Sequence, residues 1–127
     1  MAGELVLVVE DNEKNMKLFR DLLQATGYRT LEATSGEQAL AVVSEAVPDL
    51  VLIDAQLPGI DGVETLRRLR EDERTTGVCV VALTAQAMAG DRERFLDAGF
   101  DGYISKPVNV PEFIAAVRRH CGGDADG

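Results

Sequence analysis

A doubly wound α/β fold, five parallel strands covered by five helices, is what this 127-residue sequence predicts. Three observations carry the prediction. Short β-branched runs alternate with helical patterns along the whole chain. The runs Leu5–Val9, Leu50–Ile53 and Val78–Leu83 lack polar alternation, as central strands covered on both faces do. Strands separated each time by a helix are parallel and joined by right-handed crossovers.

The five strand runs are Leu5–Val9, Tyr28–Leu31, Leu50–Ile53, Val78–Leu83 and Tyr103–Ile104. The second and fifth are shorter or more polar and are expected at or near the edges. The first helix places Met16, Phe19, Leu23 and Thr26 on one face and stops at Gly27, a natural C′ residue. Ser35-Gly36-Glu37-Gln38 fits a capping box for the second, which carries Leu40, Val43 and Val47 inward. The third opens at Asp61-Gly62-Val63-Glu64 and repeats Val63, Leu66 and Leu69. Met88, Phe95 and Leu96 mark the fourth, closing at Gly99; Pro111 opens the last, with Phe113, Ile114 and Val117 inward.

Length suits one domain, residues 1–121, with 122–127 expected as a flexible tail. With 46% hydrophobic and 28% charged residues the composition is globular rather than disordered. Asp and Glu outnumber Lys and Arg 22 to 13, a net charge of −9, which argues against nucleic-acid and anionic-membrane surfaces. No apolar run approaches the roughly 18 residues of a membrane span, and Glu4 interrupts any signal-peptide pattern, so a cytoplasmic location is expected. Cys79 lies in an apolar run and reads as an inert thiol; neither it nor Cys121 has zinc-site spacing.

In doubly wound sheets function gathers outside the carboxyl ends of the strands. Here the first strand ends in Glu10-Asp11, the third in Asp54 and the fourth in Thr84, while the fifth runs into Ser105-Lys106-Pro107. Singly each is bland: Asp11 or Asn12 could cap the first helix, and a strand-end threonine or loop lysine is common. Together they are not. Two like charges ~4 Å apart repel by about 4 kcal/mol at an effective dielectric near 20, so three converging carboxylates require a cation. Lys106 offsets part of that charge, and a hard divalent ion such as Mg²⁺ would offset more. Asp54, held by the buried run Leu50–Ile53, is the candidate nucleophile for phosphoryl transfer, where positioning and charge neutralisation do most of the chemistry. His120 sits in the last helical turn, where the helix dipole suits it, and reads as structural.

These segments resemble the bacterial two-component response-regulator receiver domain, the CheY-like family. Val9-Glu10-Asp11-Asn12 resembles its acidic pair, Asp54 through Gly62 its phosphoacceptor segment, and Ala82-Leu83-Thr84-Ala85 and Tyr103-Ile104-Ser105-Lys106-Pro107 its two remaining signatures. The likeness runs from about Glu4 to Cys121. It implies the flavodoxin-like strand order 2-1-3-4-5, which follows from the resemblance and not from spacing. It further implies that Asp54 accepts a phosphoryl group, that Glu10, Asp11, Asp54 and the backbone carbonyl of Gln56 hold Mg²⁺, and that Thr84 and Lys106 contact the phosphoryl oxygens. Lys106-Pro107 is expected as a cis peptide and Tyr103 as the aromatic switch; Glu10 stands where aspartate is commoner. Gln56 and Gln86 flank the expected pocket. The implied partners are a histidine kinase or histidine phosphotransfer protein, docking near the first helix and the loop after Lys106, and an effector on the face of the fourth helix, fifth strand and fifth helix. Such a protein is a signalling phosphoacceptor rather than an enzyme, beyond its self-catalysed phosphotransfer and hydrolysis. Asn12 through Leu23, Ala87-Met88 with Gly90-Asp91, and Tyr103-Ile104-Ser105-Lys106-Pro107 are closest in look to single-domain cell-cycle regulators of the DivK type, although a receiver cut from a longer protein would look the same.

Rival readings fare worse. Gly-x-x-x-x-Gly-Lys-Ser/Thr and Gly-x-Gly-x-x-Gly are both absent. A flavodoxin-like cofactor binder would meet Glu10-Asp11 where phosphate must bind, and an aspartyl phosphatase would carry an acid where Gln56 stands. A phosphorylation-independent adaptor of the same fold is the remaining alternative.

Overall fold

The computed structural model describes residues 3–55, 61–84 and 91–121. Gln56, Gln86 and Met88, and the expected tail 122–127, lie outside the described residues. Strands and helices alternate as β1 (Leu5–Val9), α1 (Glu13–Ala25), β2 (Arg29–Ala33), α2 (Gly36–Glu45), β3 (Leu50–Asp54), α3 (Gly62–Glu71), β4 (Cys79–Thr84), α4 (Asp91–Ala98), β5 (Gly102–Ser105) and α5 (Val110–Cys121). All pairings are parallel, in the order β2-β1-β3-β4-β5, so β2 and β5 are the edges. No helix among the described residues is long and apolar enough to cross a membrane.

Successive side chains of a strand point to opposite faces, and the central strands use both. Leu7, Val9, Val51, Ile53, Val80 and Ala82 face α2, α3 and α4. Val6, Val8, Leu50, Leu52, Val81 and Leu83 face α1 and α5, where the Phe19 and Phe113 rings stack at 5.4 Å. This double coverage is why these runs show no polar alternation. The chain runs from β1 outward to β2, then returns past β1 to β3. That reversal leaves the carboxyl ends of β1 and β3 side by side with helices on opposite faces, opening a crevice between them.

Several boundaries and faces differ from expectation, each for a local reason. Tyr28 does not begin β2; its N–H donates to the Leu23 carbonyl and, with Gly27 at φ 100°, closes α1. Thr26 is the C-cap residue of α1 and only half-buried. Ser35 caps α2 by accepting from the Gln38 N–H, but the Gln38 side chain reaches back to the Thr34 N–H rather than to that of Ser35. Val47, Val63 and Leu96, expected inward, are exposed. Val47 lies past the end of α2, while small residues take the inward positions of the first two helices concerned: Ala39 in α2 and Thr65 in α3. Leu40 and Ile114 are half-buried.

Candidate functional site

Four of the five strands each deliver one group to the carboxyl edge of the sheet. β1 ends against Glu10, β3 ends in Asp54, β4 ends in Thr84, and β5 hands over to Lys106. The ladder sets their spacing: Asp54 pairs with Leu83, and Thr84 pairs with Ser105. The Lys106 N–H then donates to the Thr84 carbonyl at 2.7 Å, which seats the lysine beside β4. Lys106-Pro107 is a cis peptide, as the resemblance implied.

Lys106 joins the carboxylates. Its Nζ donates to Glu10 Oε1 at 2.8 Å and to Asp54 Oδ2 at 3.1 Å. Glu10 is 1% exposed and its other oxygen accepts from the Asn12 N–H at 3.1 Å. Asn12 rather than Asp11 caps α1, its side chain accepting from the Asn15 N–H. Asp11 is thereby released from capping and lies exposed at the mouth of the crevice. Thr84 and Asp54 are buried beneath it.

Burial pushes the Glu10 carboxyl above its ordinary range, and the hydrogen bonds from Lys106 and Asn12 pull it only part of the way back. Burial acts on Lys106 in the opposite sense and would lower it. The bonds to Glu10 and Asp54 outweigh that effect, so the ammonium is held above its ordinary value and stays charged.

One carboxylate oxygen each from Glu10, Asp11 and Asp54 lie within 4.8 Å of one another. Hard oxygen donors so close, opening to solvent on the Asp11 side, fit a Mg²⁺ ion that takes one or two carboxylates and retains waters. Residues 6–118 match the response regulator receiver domain. The chain belongs to that family. The polar-differentiation response regulator DivK of Brucella ovis is 49% identical to this receiver over 117 residues, 92% of this chain and 95% of its own. The receiver domain of a sensor histidine kinase from Pseudomonas aeruginosa PAO1, solved with a magnesium ion coordinated in its active-site cleft, is 36% identical with a TM-score of 0.87. That alignment covers 96% of this chain and 100% of the other. Chemotaxis response regulator CheY4 of Vibrio cholerae shares the fold at a TM-score of 0.88 and 24% identity, over 94% of this chain and 99% of its own.

The receiver's expected site residues Glu10, Asp11, Asp54 and Lys106 are thus brought together, with Thr84 on the adjoining strand end. Tyr103 stands on β5 with its ring 6.1 Å from that of Phe95. One residue of consequence was not foreseen. A Cβ added at Gly62 would lie 2.9 Å from the Asp54 carbonyl oxygen and 3.0 Å from Ala55 Cα, so the start of α3 presses directly on the end of β3. Its only trace in the sequence is a glycine immediately after the capping Asp61.

The thiols take no part. Burial, with Asp101 adding to it, pushes Cys79 up to about 11; burial, with Glu4 and Asp49, pushes Cys121 up to about 12. His120 lies at the opposite end of the sheet with Nδ1 3.4 Å from Cys79 Sγ, and burial next to Arg119 keeps its pKa below the ordinary value.

Proposed function

We propose that this receiver is a cytoplasmic phosphoacceptor of two-component signalling, taking a phosphoryl group from a phosphohistidine onto Asp54 and thereby switching a protein-interaction surface. The observation that carries the reading is the Lys106 ammonium bridging buried Glu10 and Asp54 beside exposed Asp11. Glu10, Asp11 and Asp54, with the backbone carbonyl of Gln56, would hold Mg²⁺. When bound, the ion supplies positive charge to the phosphoryl oxygens.

An Asp54 carboxylate oxygen attacks phosphorus as the P–N bond of the phosphohistidine breaks. The bonding pair stays on the imidazole nitrogen, which takes a proton from solvent. Lys106 already touches Asp54 Oδ2, so it can follow the charge from carboxylate to phosphoryl oxygen. Thr84, on the strand beside it, donates its hydroxyl to a second phosphoryl oxygen, and Tyr103 turns inward as Thr84 moves. The output surface is that of α4, β5 and α5, where a groove of about 790 Å³ runs between Leu96, Tyr103 and Arg119.

Intact mass after incubation with Mg²⁺ and a small phosphodonor tests the reading. One phosphoryl adduct is expected, absent from Asp54→Asn and after EDTA. An adduct that survives Asp54→Asn would overturn the assignment. Failure to bind Mg²⁺ and to gain mass from any donor would leave the phosphorylation-independent adaptor.

The donor protein docks on α1. Leu18 is 41% exposed there, roughly 130° from the centre of the Met16–Phe19–Leu23 face by the 3.6-residue repeat. Leu18→Ala is expected to slow transfer from a phosphohistidine protein several-fold while leaving small-molecule phosphorylation unchanged. Equal losses in the two assays would remove the docking role.

A further inference from the structure

Arg70 stands in the last turn of α3 and grips both the segment that follows the helix and a stretch about 30 residues further on. Nη1 donates to the carbonyls of Thr76 at 3.0 Å and Val78 at 2.5 Å. Nη2 donates to the Gly99 carbonyl at 3.2 Å and to Asp101 Oδ2 at 3.0 Å. Asp101 is further tied to β4, its Oδ2 accepting from the Val80 N–H at 2.8 Å and its own N–H donating to the Val80 carbonyl at 2.8 Å. A partly exposed ion pair alone is worth little. Here the planar guanidinium uses both arms of its fork on four acceptors, a geometry no lysine reproduces.

What lies between the two gripped residues gives the contact its meaning. Gly99 and Asp101 flank Phe100, which is buried. The Phe100 ring meets Phe95 edge-on, with centroids 5.9 Å apart at 85°. Phe95 in turn packs against Tyr103, tilted at 36°. Gly99 also ends α4, with φ 111° and its N–H donating to the Leu96 carbonyl. A contiguous line of contacts therefore runs from Arg70 through Phe100 and Phe95 to the ring expected to rotate.

We propose that Arg70 is a positioning residue for switching: by fixing Gly99 and Asp101 on either side of Phe100, it holds the Phe100–Phe95 pair as the wall against which Tyr103 turns. The proposal rests on the phosphoacceptor reading of Asp54. With the wall held, occupancy of the pocket gives one defined Tyr103 movement. Without it, the aromatic stack samples several arrangements and the response of Tyr103 is spread among them.

The full chain labelled with 3-fluorotyrosine gives the readout, one line for Tyr103 and one for Tyr28, assigned with Tyr28→Phe. Mg²⁺ and beryllofluoride are titrated in, and the Asp54 backbone amide reports pocket occupancy independently. In the native protein the Tyr103 line is expected to move with the amide. In Arg70→Met, and equally in Arg70→Lys, which keeps the charge but not the fork, the amide midpoint should stay within twofold. The Tyr103 shift should fall by at least half, or its line split. Asp101→Asn, a milder cut at the same contact, should do the same. A full Tyr103 shift in both Arg70 variants overturns the proposal. So does failure of all three variants to fold, which would make the contact a fold determinant only. A native Tyr103 line that stays still while the Asp54 amide moves overturns this inference alone, whereas a still Asp54 amide overturns the phosphoacceptor reading and this inference with it.

Discussion

Lys106→Met is expected to slow phosphoryl uptake by small donors about 100- to 1,000-fold, the scale of losing one charged donor to a developing phosphoryl charge. The same change should lower stability in a way that depends on pH. Removing the ammonium takes away the positive charge that Glu10, 1% exposed, and buried Asp54 share. Breaking one side of a buried ion pair costs about 3–5 kcal/mol. Glu10 already titrates above its ordinary range because it is buried, and Lys106 is the group that restrains that rise. A carboxyl whose folded pKa is raised binds its proton more tightly in the folded chain. Its favourable contribution is complete below the unfolded pKa and is lost as pH rises through the folded one. Without Lys106 that window moves upward, so the deficit of the variant relative to the native protein should be large at pH 7 and shrink towards pH 5. Thermal melts of both proteins at the two pH values check this. Equal deficits at both, or unchanged phosphorylation at pH 7, would show that Lys106 does not carry the charge balance of the pocket.

Gly62→Ala is the second large effect. Its Cβ would meet the Asp54 carbonyl oxygen and Ala55 Cα, both backbone atoms that no rotamer change can move aside. Overpacking of this kind costs about 1–3 kcal/mol, and the gain in helix propensity at the first helical position recovers only a part. A fall in melting temperature of roughly 5 °C is expected for a chain of this size. The kinetic loss should be larger in proportion. One displaced atom belongs to Asp54, the proposed attacking residue, and the other to its neighbour Ala55, and a misplacement near 1 Å can cost on the order of 100-fold. Gly77→Ala is the control, because nothing lies within 4 Å of its added Cβ. If both alanine variants phosphorylate at the native rate, α3 does not set the position of Asp54.

The central strands and the acidic edge were legible because large apolar residues and charges mark them directly. Leu50–Ile53 can hardly be anything but a buried strand, and the charge of Glu10, Asp11 and Asp54 demands a cation wherever the strands end together. Helix faces were less so. Val63 and Leu96 fit an apolar stripe by spacing yet face solvent, while Ala39 and Thr65, too small to weigh in such a pattern, are buried. A pattern of hydrophobicity records which side chains gain from burial, not how closely two backbones approach. For the same reason neither the pressure of Gly62 on β3 nor the four acceptors of Arg70 was visible: both depend on how closely separate elements approach in space. The choice between Asp11 and Asn12 as cap was also settled only by geometry.

The sheet separates two apolar layers, one under α1 and α5, the other under α2, α3 and α4. The surface proposed for the phosphodonor belongs to the first, and the aromatic wall of Tyr103 to the second. In such an arrangement the outer face of α1 and the packing behind Tyr103 can drift independently over evolutionary time, while α5, which packs on the α1 side yet borders the proposed output face, is the element that links them. Changes on the outer face of α1 would redirect which signal enters, without retuning how the signal is expressed, so the same body can be rewired between circuits by altering one side at a time.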